Sequence, residues 1–139
     1  MIASWPSELP RPDRQGWQVQ PQDARRKRQS EAGPPSYRRR FSAIARMVSM
    51  QLLLTRQQRA VFDRFFHETC EEGSLHFHMA DPTTDGWPIL TASGAPLLDG
   101  AGRPILMARR WLCAWGDQVP SEGIEGVMFR KTCSIVVLP

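Results

Sequence analysis

Alternating apolar and polar residues predict a β-strand near the middle of the chain. The segment FSAIARMVSMQLLL spans residues 41–54. Within it, Val48, Met50 and Leu52 fall on one face of an extended chain, and polar residues fall on the other. A period of two residues is typical of a strand that buries one face. We therefore expect this segment to contribute a strand to the protein core.

A helix follows in the segment TRQQRAVFDRFFHETCEEG. Thr55 and Gln58, three residues apart, form a capping-box pattern, which marks the start of helices. The next apolar residues recur at spacings that place them on one stripe of a helix. The stripe consists of Phe62, Phe65, Phe66 and Thr69. Gly73 suits the left-handed position just past a helix end. The pattern predicts a helix from Arg56 to Glu72, about residues 56–72.

Three later segments carry a strand signal, and a long turn-rich region separates the first from the second. The segments are SLHFHMA, ILMARRWLCAWG and GVMFRKTCSIVVLP. The intervening residues, about 82–106, are rich in glycine, proline, aspartate and threonine. This composition predicts turns and an exposed hairpin insertion, with DGAG as its tip.

The strand SLHFHMA has two faces of different chemistry. Leu75, Phe77 and Met79 share one face, which we expect to point into the core. His76 and His78 share the opposite face. We therefore expect the two histidines to point outward, towards solvent or a neighbouring subunit.

The first 40 residues differ from the rest of the chain. They contain six prolines and few aliphatic residues, which disfavours a helix or a central strand. This stretch has few large apolar groups, among them Trp5, Leu9 and Trp17. The pattern predicts an extended arm, anchored by these residues on its own body or on a neighbour. A disordered tail is the alternative.

The order of these elements indicates an α+β fold that is mainly β. One helix beside antiparallel strands predicts a small antiparallel β-sandwich or barrel with one flanking α-helix. The domain organisation that follows is an extended Pro/Arg-rich N-terminal arm, residues 1–40, and a β-sandwich domain, residues 41–139. A chain of 139 residues suits a single domain with a modest core.

Positive charge is concentrated in the arm. The net charge is +4, with 18 lysine and arginine residues and 14 acidic residues. Seven of the 18 cations lie in the two runs RRKR (Arg25–Arg28) and YRRR (Tyr37–Arg40). The positive charges of these runs can neutralise several DNA phosphates. Without an aromatic platform or a recognition helix, such contact would be non-specific. The alternative is a charge run that faces solvent or a partner protein.

Cysteine usage and hydropathy limit the cellular setting. The three cysteines are widely spaced and form no CxxC motif, so a reducing compartment is the simpler expectation. The first residues, MIASWPSELPRP, lack the apolar core of a signal peptide. No apolar run approaches the roughly 20 residues that span a bilayer. We therefore expect no membrane contact.

The segment CEEGSLHFHM raises the question of a metal site. His67 and Cys70 share a helix face, and His76 and His78 share a strand face, so four zinc ligands are arithmetically available. The stripe of phenylalanines competes for the inward direction, and Phe77 turns both strand histidines outward. We therefore expect no metal and no cofactor, with a small metal-binding enzyme as the less favoured alternative.

Catalytic signals are weak. Cys70 lies near a helix end beside Glu71 and Glu72, and we expect these carboxylates to raise its pKa. A reactive cysteine needs the opposite environment. No GxSxG, HExxH, P-loop or GxGxxG motif is present. We expect no catalytic residues and no enzymatic activity.

Several motifs together resemble a known family. The opening WPSELPRP is followed by SEAGPPSYRRRF, an acidic-Gly element before an arginine-rich strand. A strand comes next, and then a helix that opens as LT..Q...F..F and ends at a glycine, with an aromatic in the following strand. The residues that carry these motifs are Glu31, Gly33, Arg38, Arg40, Leu54, Thr55, Gln58, Phe62, Phe65 or Phe66, Gly73 and Phe77. A late strand with Trp111 or Trp115 and the closing CSIVVLP complete the pattern.

This pattern resembles the small tail proteins of tailed double-stranded DNA bacteriophages, including minor tail, distal-tail-like and tail-completion-like proteins. The resemblance implies a tail-tube-like fold of two packed antiparallel sheets with one flanking helix. It also implies a structural virion protein that forms a ring, often of six subunits, in the tail or at the head–tail joint. The partners would be other tail or neck proteins, and assembly would occur in the host cytoplasm.

The candidate functional residues are therefore interface groups. Some would anchor the arm, some would pair with acidic neighbours or contact packaged DNA, and the rest would lie at subunit contacts. They are Trp5, Trp17, Arg25, Arg26, Arg38, Arg39, Arg40, His76, His78 and Trp87. The exposed apolar groups of the predicted hairpin suit an interface because a monomer gains little from them.

Overall fold

Nine strands and one helical segment form the chain, and the structure, a computed structural model, describes residues 1–139. Strand residues make up 39% of the chain and helical residues 10%, so the expectation of a mainly β fold with one helix is confirmed. The strands are β1 (Ala3–Ser4), β2 (Gln18–Pro21), β3 (Arg25–Arg28), β4 (Ser36–Arg39), β5 (Arg46–Leu54), β6 (Phe77–Ala80), β7 (Arg110–Trp115), β8 (Ser121–Glu125) and β9 (Met128–Val137).

Seven of the nine strands belong to one mixed sheet. Its order is β1-β6-β7-β9-β5-β2, with β8 paired to the remaining length of β9. The β1–β6 pair is parallel, and the other pairs are antiparallel. The order has two free ends, so the sheet does not close into a barrel. Strands β3 and β4 form a separate two-stranded ribbon.

The core lies between the helix and one face of the sheet. The alternation predicted in β5 is confirmed, because Val48, Met50 and Leu52 are fully buried. Strand β9 buries alternate residues in the same way, and its long antiparallel pairing with β5 runs from Phe129 to Val137. These two central strands provide the surface on which the helix packs.

The helix begins as the sequence predicts. The hydroxyl of Thr55 accepts a hydrogen bond from the Gln58 amide at 3.3 Å, and the Gln58 side-chain oxygen accepts one from the Thr55 amide at 3.0 Å. This reciprocal capping box satisfies two amides that would otherwise lack partners. The α-helix, α1 (Arg56–Arg64), is nevertheless shorter than the predicted segment.

A π-helical turn, Phe65–Thr69, replaces the last part of the expected α-helix. Here the amide of Cys70 donates to the carbonyl of Phe65, five residues back, at 2.9 Å. Phe65, Phe66 and Cys70 are all buried at this turn. The expected helix end at Glu72 is therefore wrong: the helical segment ends at Thr69, because Glu71 and Glu72 adopt positive φ, which a right-handed helix does not contain.

Gly73 adopts the left-handed backbone conformation that the sequence predicts, with φ of 84°. Glu71 and Glu72 before it also have positive φ, so the chain turns sharply before the next strand. A Cβ atom on Gly73 would lie 2.7 Å from Cε2 of Phe66, which leaves no room for a side chain. The same turn delays the next strand, so β6 is shorter than predicted and Leu75 is exposed rather than buried.

The first 21 residues pack on the body of the protein. Strand β1 pairs with β6, and the amide of Trp5 donates to the carbonyl of His78 at 2.7 Å. Strand β2 pairs with β5 at the edge of the sheet, where its Pro21 is tolerated. Between them, Leu9 is buried, and Asp13 forms an ion pair with Arg130 at 2.6 Å. The segment predicted as an arm thus contributes two strands to the main sheet.

Trp5 lies at the centre of an aromatic cluster. Its ring centroid is 5.9 Å from that of Phe62 and 5.6 Å from that of Phe65, both in edge-to-face geometry. It is 5.7 Å from Phe77 of β6 and 6.3 Å from Trp115 of β7. Edge-to-face pairs add to the stabilisation from burial. Trp5 therefore links the helical segment, the sheet and the N-terminal segment.

Replacing Trp5 by alanine should destabilise the fold. We expect W5A to lower the free energy of unfolding by about 3 kcal/mol, because it removes a large side chain from this cluster and leaves a cavity. Urea unfolding followed by circular dichroism measures the loss. The matched control is W87A, since Trp87 is half-exposed and should cost less than about 1 kcal/mol. Equal losses in the two variants would contradict the central role of Trp5.

Candidate interaction surfaces

The histidine and cysteine cluster of CEEGSLHFHM is dispersed in the structure. Cys70 is buried, whereas His76 is exposed and His78 is half-buried. His67 is exposed, and its Nδ1 lies 2.6 Å from a carboxylate oxygen of Glu72. No group of three or more histidine, cysteine or acidic side chains has an arrangement that holds a metal ion. Phe77 and Met79 are buried as predicted, so the inward face of this strand is correctly assigned.

All three cysteines are buried and unpaired. Burial raises the pKa of Cys113 to about 12 and that of Cys133 to about 12. Burial also raises the pKa of Cys70. The raised pKa of Cys70 agrees with the expectation from the sequence. Its cause, however, is desolvation of the buried thiol rather than the neighbouring glutamates. Thiols in this state are protonated at neutral pH, which makes them poor nucleophiles.

The aromatic anchors of the N-terminal segment contact the chain itself. Trp5 occupies the aromatic cluster, and Trp17 stacks on Trp111 with ring centroids 6.4 Å apart. His78 lines an open cleft of about 260 Å³ between the N-terminal segment and β6. Trp5 also lines this cleft. Of the predicted interface residues, Trp5 and His78 therefore lie together at this cleft, whereas Trp17 packs elsewhere, on Trp111 of β7.

The predicted cationic residues form an exposed ribbon. Strand β3 pairs with β4 so that Arg25 lies opposite Arg39 and Arg26 opposite Arg38, and Arg40 follows at the end of β4. Every strand residue of the ribbon is exposed. Like charges that face each other across a strand pair repel, so this ribbon favours an acidic partner.

Only one cation of the ribbon has an anionic partner in the chain. The guanidinium of Arg25 binds Asp23 at 3.0 Å and lies 4.5 Å from the centre of the Tyr37 ring. The Arg25 guanidinium holds the pKa of Asp23 below its usual value. The other cations of the ribbon form no ion pair; they are Arg26, Lys27, Arg28, Arg38, Arg39 and Arg40. Six uncompensated positive charges are therefore presented on one protrusion.

The region predicted as a hairpin has a different architecture. Residues 86–107, here called the threefold loop, contain three short segments joined by single bridges: Pro88 with Leu106, Leu90 with Pro96, and Leu98 with Pro104. Each segment thus pairs with both of the others. Proline lacks an amide hydrogen, so each segment forms a bridge rather than a continuous ladder. The predicted tip DGAG does form a turn, with Leu98 and Pro104 paired on either side of it, and this turn is one of three corners of a closed triangle.

Three sets of equivalent backbone hydrogen bonds close this triangle. In the inner set, the amide of Ile89 donates to Ile105, that of Ile105 to Leu97, and that of Leu97 to Ile89, at 2.8–2.9 Å. At the corners, the equivalent bonds run from Thr91 to Ala95, from Asp99 to Arg103 and from Met107 to Trp87. The third set comprises the amides of Gly94, Gly102 and Gly86, which donate to the carbonyls of Thr91, Asp99 and Met107. The loop therefore has internal threefold pseudosymmetry.

A repeat of eight residues encodes this symmetry. The sequences GWPIL, GAPLL and GRPIL begin at Gly86, Gly94 and Gly102 and follow the pattern Gly-Xaa-Pro-(Ile/Leu)-Leu. All three glycines have φ between 79° and 85°, which favours glycine over other residues. A search for internal repeats would have revealed the pattern, which the turn-rich composition obscures.

Polar contacts fix the base of the threefold loop to the body. The buried carboxylate of Asp81 accepts hydrogen bonds from the amide and the hydroxyl of Thr83. The Asp85 carboxylate accepts one from the Arg109 amide at 2.8 Å. Arg11 of the N-terminal segment donates to the Pro82 carbonyl at 2.7 Å, and its guanidinium lies 5.8 Å from the Trp87 ring centre. The N-terminal segment therefore supports the loop as well as the core.

A buried lysine organises the opposite side of the molecule. Lys131 of β9 occupies an inward position, and its ammonium lies 2.7 Å from Asp63 of α1 and 3.2 Å from Glu122 of β8. The guanidinium of Arg59 binds the same Glu122 at 2.6 Å. The Arg59 guanidinium, followed by Lys131, holds the pKa of Glu122 below its usual value. This network joins the helix to β8, a strand that the sequence pattern did not predict because all its residues are exposed.

The Glu122 network should make stability depend on pH. A depressed pKa means that ionised Glu122 stabilises the fold above its unfolded pKa of about 4.3, and that this contribution is lost as the pH falls through the folded value. We expect E122Q to lower the free energy of unfolding by about 0.5–1 kcal/mol at pH 7, because solvent screens ion pairs of an exposed residue. The difference from the unmodified protein should shrink progressively below about pH 4.3.

Denaturant unfolding at a series of pH values measures this difference. The control is E31Q, because Glu31 is exposed in the loop between β3 and β4 and forms no ion pair. We expect the E31Q protein to match the unmodified protein at every pH. A loss in E122Q that stays constant from pH 7 to pH 3 would contradict the assignment.

No helix of the structure combines the length and the apolar character that a membrane span requires. Comparisons with known proteins provide no further guide to function. No protein-family model matches the chain, and no curated protein or solved structure matches it either.

Proposed function

We propose that this chain is a structural virion protein of a tailed double-stranded DNA bacteriophage, a ring-forming component of the tail or of the head–tail joint. The observation that carries the proposal is the placement of exposed apolar side chains. Ten of the sixteen large exposed apolar residues lie in two segments of the chain, the threefold loop and the β7–β9 connection. Apolar groups concentrated in this way favour association with other proteins.

The second segment, the β7–β9 connection, contains the open edge strand β8. Val119, Ile124 and Val127 are between 73% and 89% exposed, in or next to β8. Strand β8 pairs with β9 on one side only, and β2 at the sheet edge pairs only with β5. Unpaired strand edges favour pairing with another chain. A contact between the β8 edge of one copy and the β2 edge of the next would be heterologous, and such contacts generate rings where the rotation between copies closes.

We also propose how the sheets are arranged in the assembled ring. The family resemblance implies two packed antiparallel sheets with a tail-tube-like form. A single chain has one mixed sheet and a separate ribbon, so neighbouring copies in the ring would complete the second layer. The copy number expected from the resemblance is six, and the partners are other tail or neck proteins in the particle.

Purified virions from the producing cells test this proposal. We expect mass spectrometry to find the chain in the particles at several copies each, and particles made without its gene to be non-infectious, with defective tails or necks in negative-stain images. The variant I124K/V127K should fail to restore infectivity, because it places charge in the proposed contact, while its thermal stability stays unchanged. The control Q29K, with an exposed substitution in the ribbon loop, should restore it. Intact, infectious particles without the chain would refute the proposal.

The cationic ribbon supports a second candidate function, contact with duplex DNA. A two-stranded ribbon fits the DNA major groove, and cations on its faces neutralise phosphates. Arg26, Arg28 and Arg38 lie on one face, because Arg26 is paired with Arg38 and Arg28 lies two residues further along β3. These three form no ion pair within the chain. Both functions are compatible in one particle if the ribbon contacts packaged DNA.

DNA binding should show a steep dependence on salt. We expect the binding constant for random-sequence duplex DNA to fall with a log–log slope of about −5 for six phosphate contacts. The variant R26Q/R28Q/R38Q should reduce the magnitude of this slope by about 3. The control R56Q/R64Q/R103Q removes the same charge from other exposed arginines without ion pairs, and should leave the slope nearly unchanged. Absence of binding at low salt, or equal slopes in both variants, would exclude the ribbon as a DNA contact.

A further inference from the structure

The threefold loop presents apolar side chains in matched sets. The central residues of the three segments, Ile89, Leu97 and Ile105, are 37%, 42% and 37% exposed. The leucines that follow them, Leu90, Leu98 and Leu106, are 59%, 55% and 56% exposed. The symmetry of the backbone thus extends to the apolar surface, because equivalent side chains are exposed to within about five percentage points of one another.

Folding of the loop does not explain why these side chains are apolar. The hydrogen bonds that close the triangle are all between backbone groups. Every residue from 89 to 106 is exposed, so none of the leucines contributes a buried side chain to the core. Polar residues in the same positions would satisfy the same backbone geometry. Six exposed Leu and Ile side chains are therefore better explained by binding than by stability.

We propose that the threefold loop seats one copy of this chain on the symmetry axis of a homotrimeric protein, whose end exposes apolar side chains around that axis. The inference deepens the proposed function, on which it rests, by defining one partner of the assembly. Each of the three repeats meets the same residues of one partner chain. A ring of copies would present one loop per subunit and bind one trimer per subunit.

The threefold pseudosymmetry of the loop favours a trimeric partner. An asymmetric partner would contact one corner of the loop and leave the equivalent apolar groups of the other two corners exposed. Charge supports an apolar contact, because Asp99 and Arg103 at one corner correspond to Thr91 and Ala95 at another. The apolar positions keep the threefold pattern, and the charged positions do not. Binding through the repeated positions is therefore apolar.

Shape argues against a second copy of the same loop as the occupant. Every residue from 89 to 106 is exposed, so a second loop placed against one side of this surface would leave its other sides uncovered. A stable interface requires about 800 Å² from each partner. Three chains arranged around an axis would meet all three segments of the loop and cover more of this exposed surface. The trimer therefore accounts for both the symmetry and the shape of the loop.

Site-specific photo-crosslinking tests the proposal. A benzophenone amino acid is placed separately at Leu90, Leu98 and Leu106 of the full-length chain in the producing cells. We expect all three variants to form an adduct with the same protein, at the same segment of its sequence. Native mass spectrometry of the complex should give one copy of this chain to three of the partner. The control position is Val127, which is more exposed but lies outside the loop and should not give this adduct.

Several outcomes would overturn the proposal. These are adducts at different proteins or segments from the three positions, adducts only between copies of this chain, an adduct from only one position, or no adduct. With the partner purified, L90A, L98A and L106A should each weaken binding by about tenfold, in equal measure. Unequal losses would also contradict the threefold contact.

The crosslinking experiment and the analysis of purified virions can fail independently of each other. If the three positions give the same trimer adduct but the chain is missing from purified virions, the docking holds and the virion role fails. If the chain is present in virions but the adducts do not match, the virion role holds and the docking fails.

Discussion

The packing of Trp5 is the contact on which the other parts of the structure depend. Its ring contacts phenylalanines from both parts of the helical segment and Phe77 of the sheet, and its amide bonds to β6. This anchor directs the following residues across the molecule. Leu9 enters the core, Arg11 holds the base of the threefold loop, and Asp13 pairs with Arg130 of β9. A segment that lacks the composition of a core element therefore positions the exposed surfaces of the protein.

The parts of the fold that the sequence predicts are those with a local physical signal. The alternation in β5 reports its buried face, the Thr55–Gln58 pair starts the helix, and Gly73 adopts the left-handed conformation. The outward direction of His76 follows from the burial of Phe77, the next residue, where β6 begins. In each case a few adjacent residues determine the outcome, because the period of a strand or the geometry of a cap depends only on neighbours.

The features that escaped prediction depend on distant contacts or on a period that local patterns do not reveal. The π-helical turn at Phe65–Thr69 buries Phe65 and Phe66 and has no signal in the local sequence pattern. Lys131 is inward because Asp63 and Glu122, far away in sequence, surround its ammonium. The same distinction applies to the candidate surfaces. The sequence shows the two cationic runs, but it does not show that they pair as a ribbon. The threefold loop is encoded by a repeat that spans three turns.

The closure of the threefold loop also constrains how this region changes in evolution. Three copies of an eight-residue unit satisfy one another, and two copies would leave the hydrogen-bond cycle open. Gain or loss of one unit is therefore disfavoured, whereas substitutions at the exposed positions leave the backbone scaffold intact. The chain enters and leaves at a single corner, where Met107 bonds to Trp87, so the loop resembles a cassette inserted into a host fold. Its binding preference is then free to diversify without cost to the stability of the sheet beneath it.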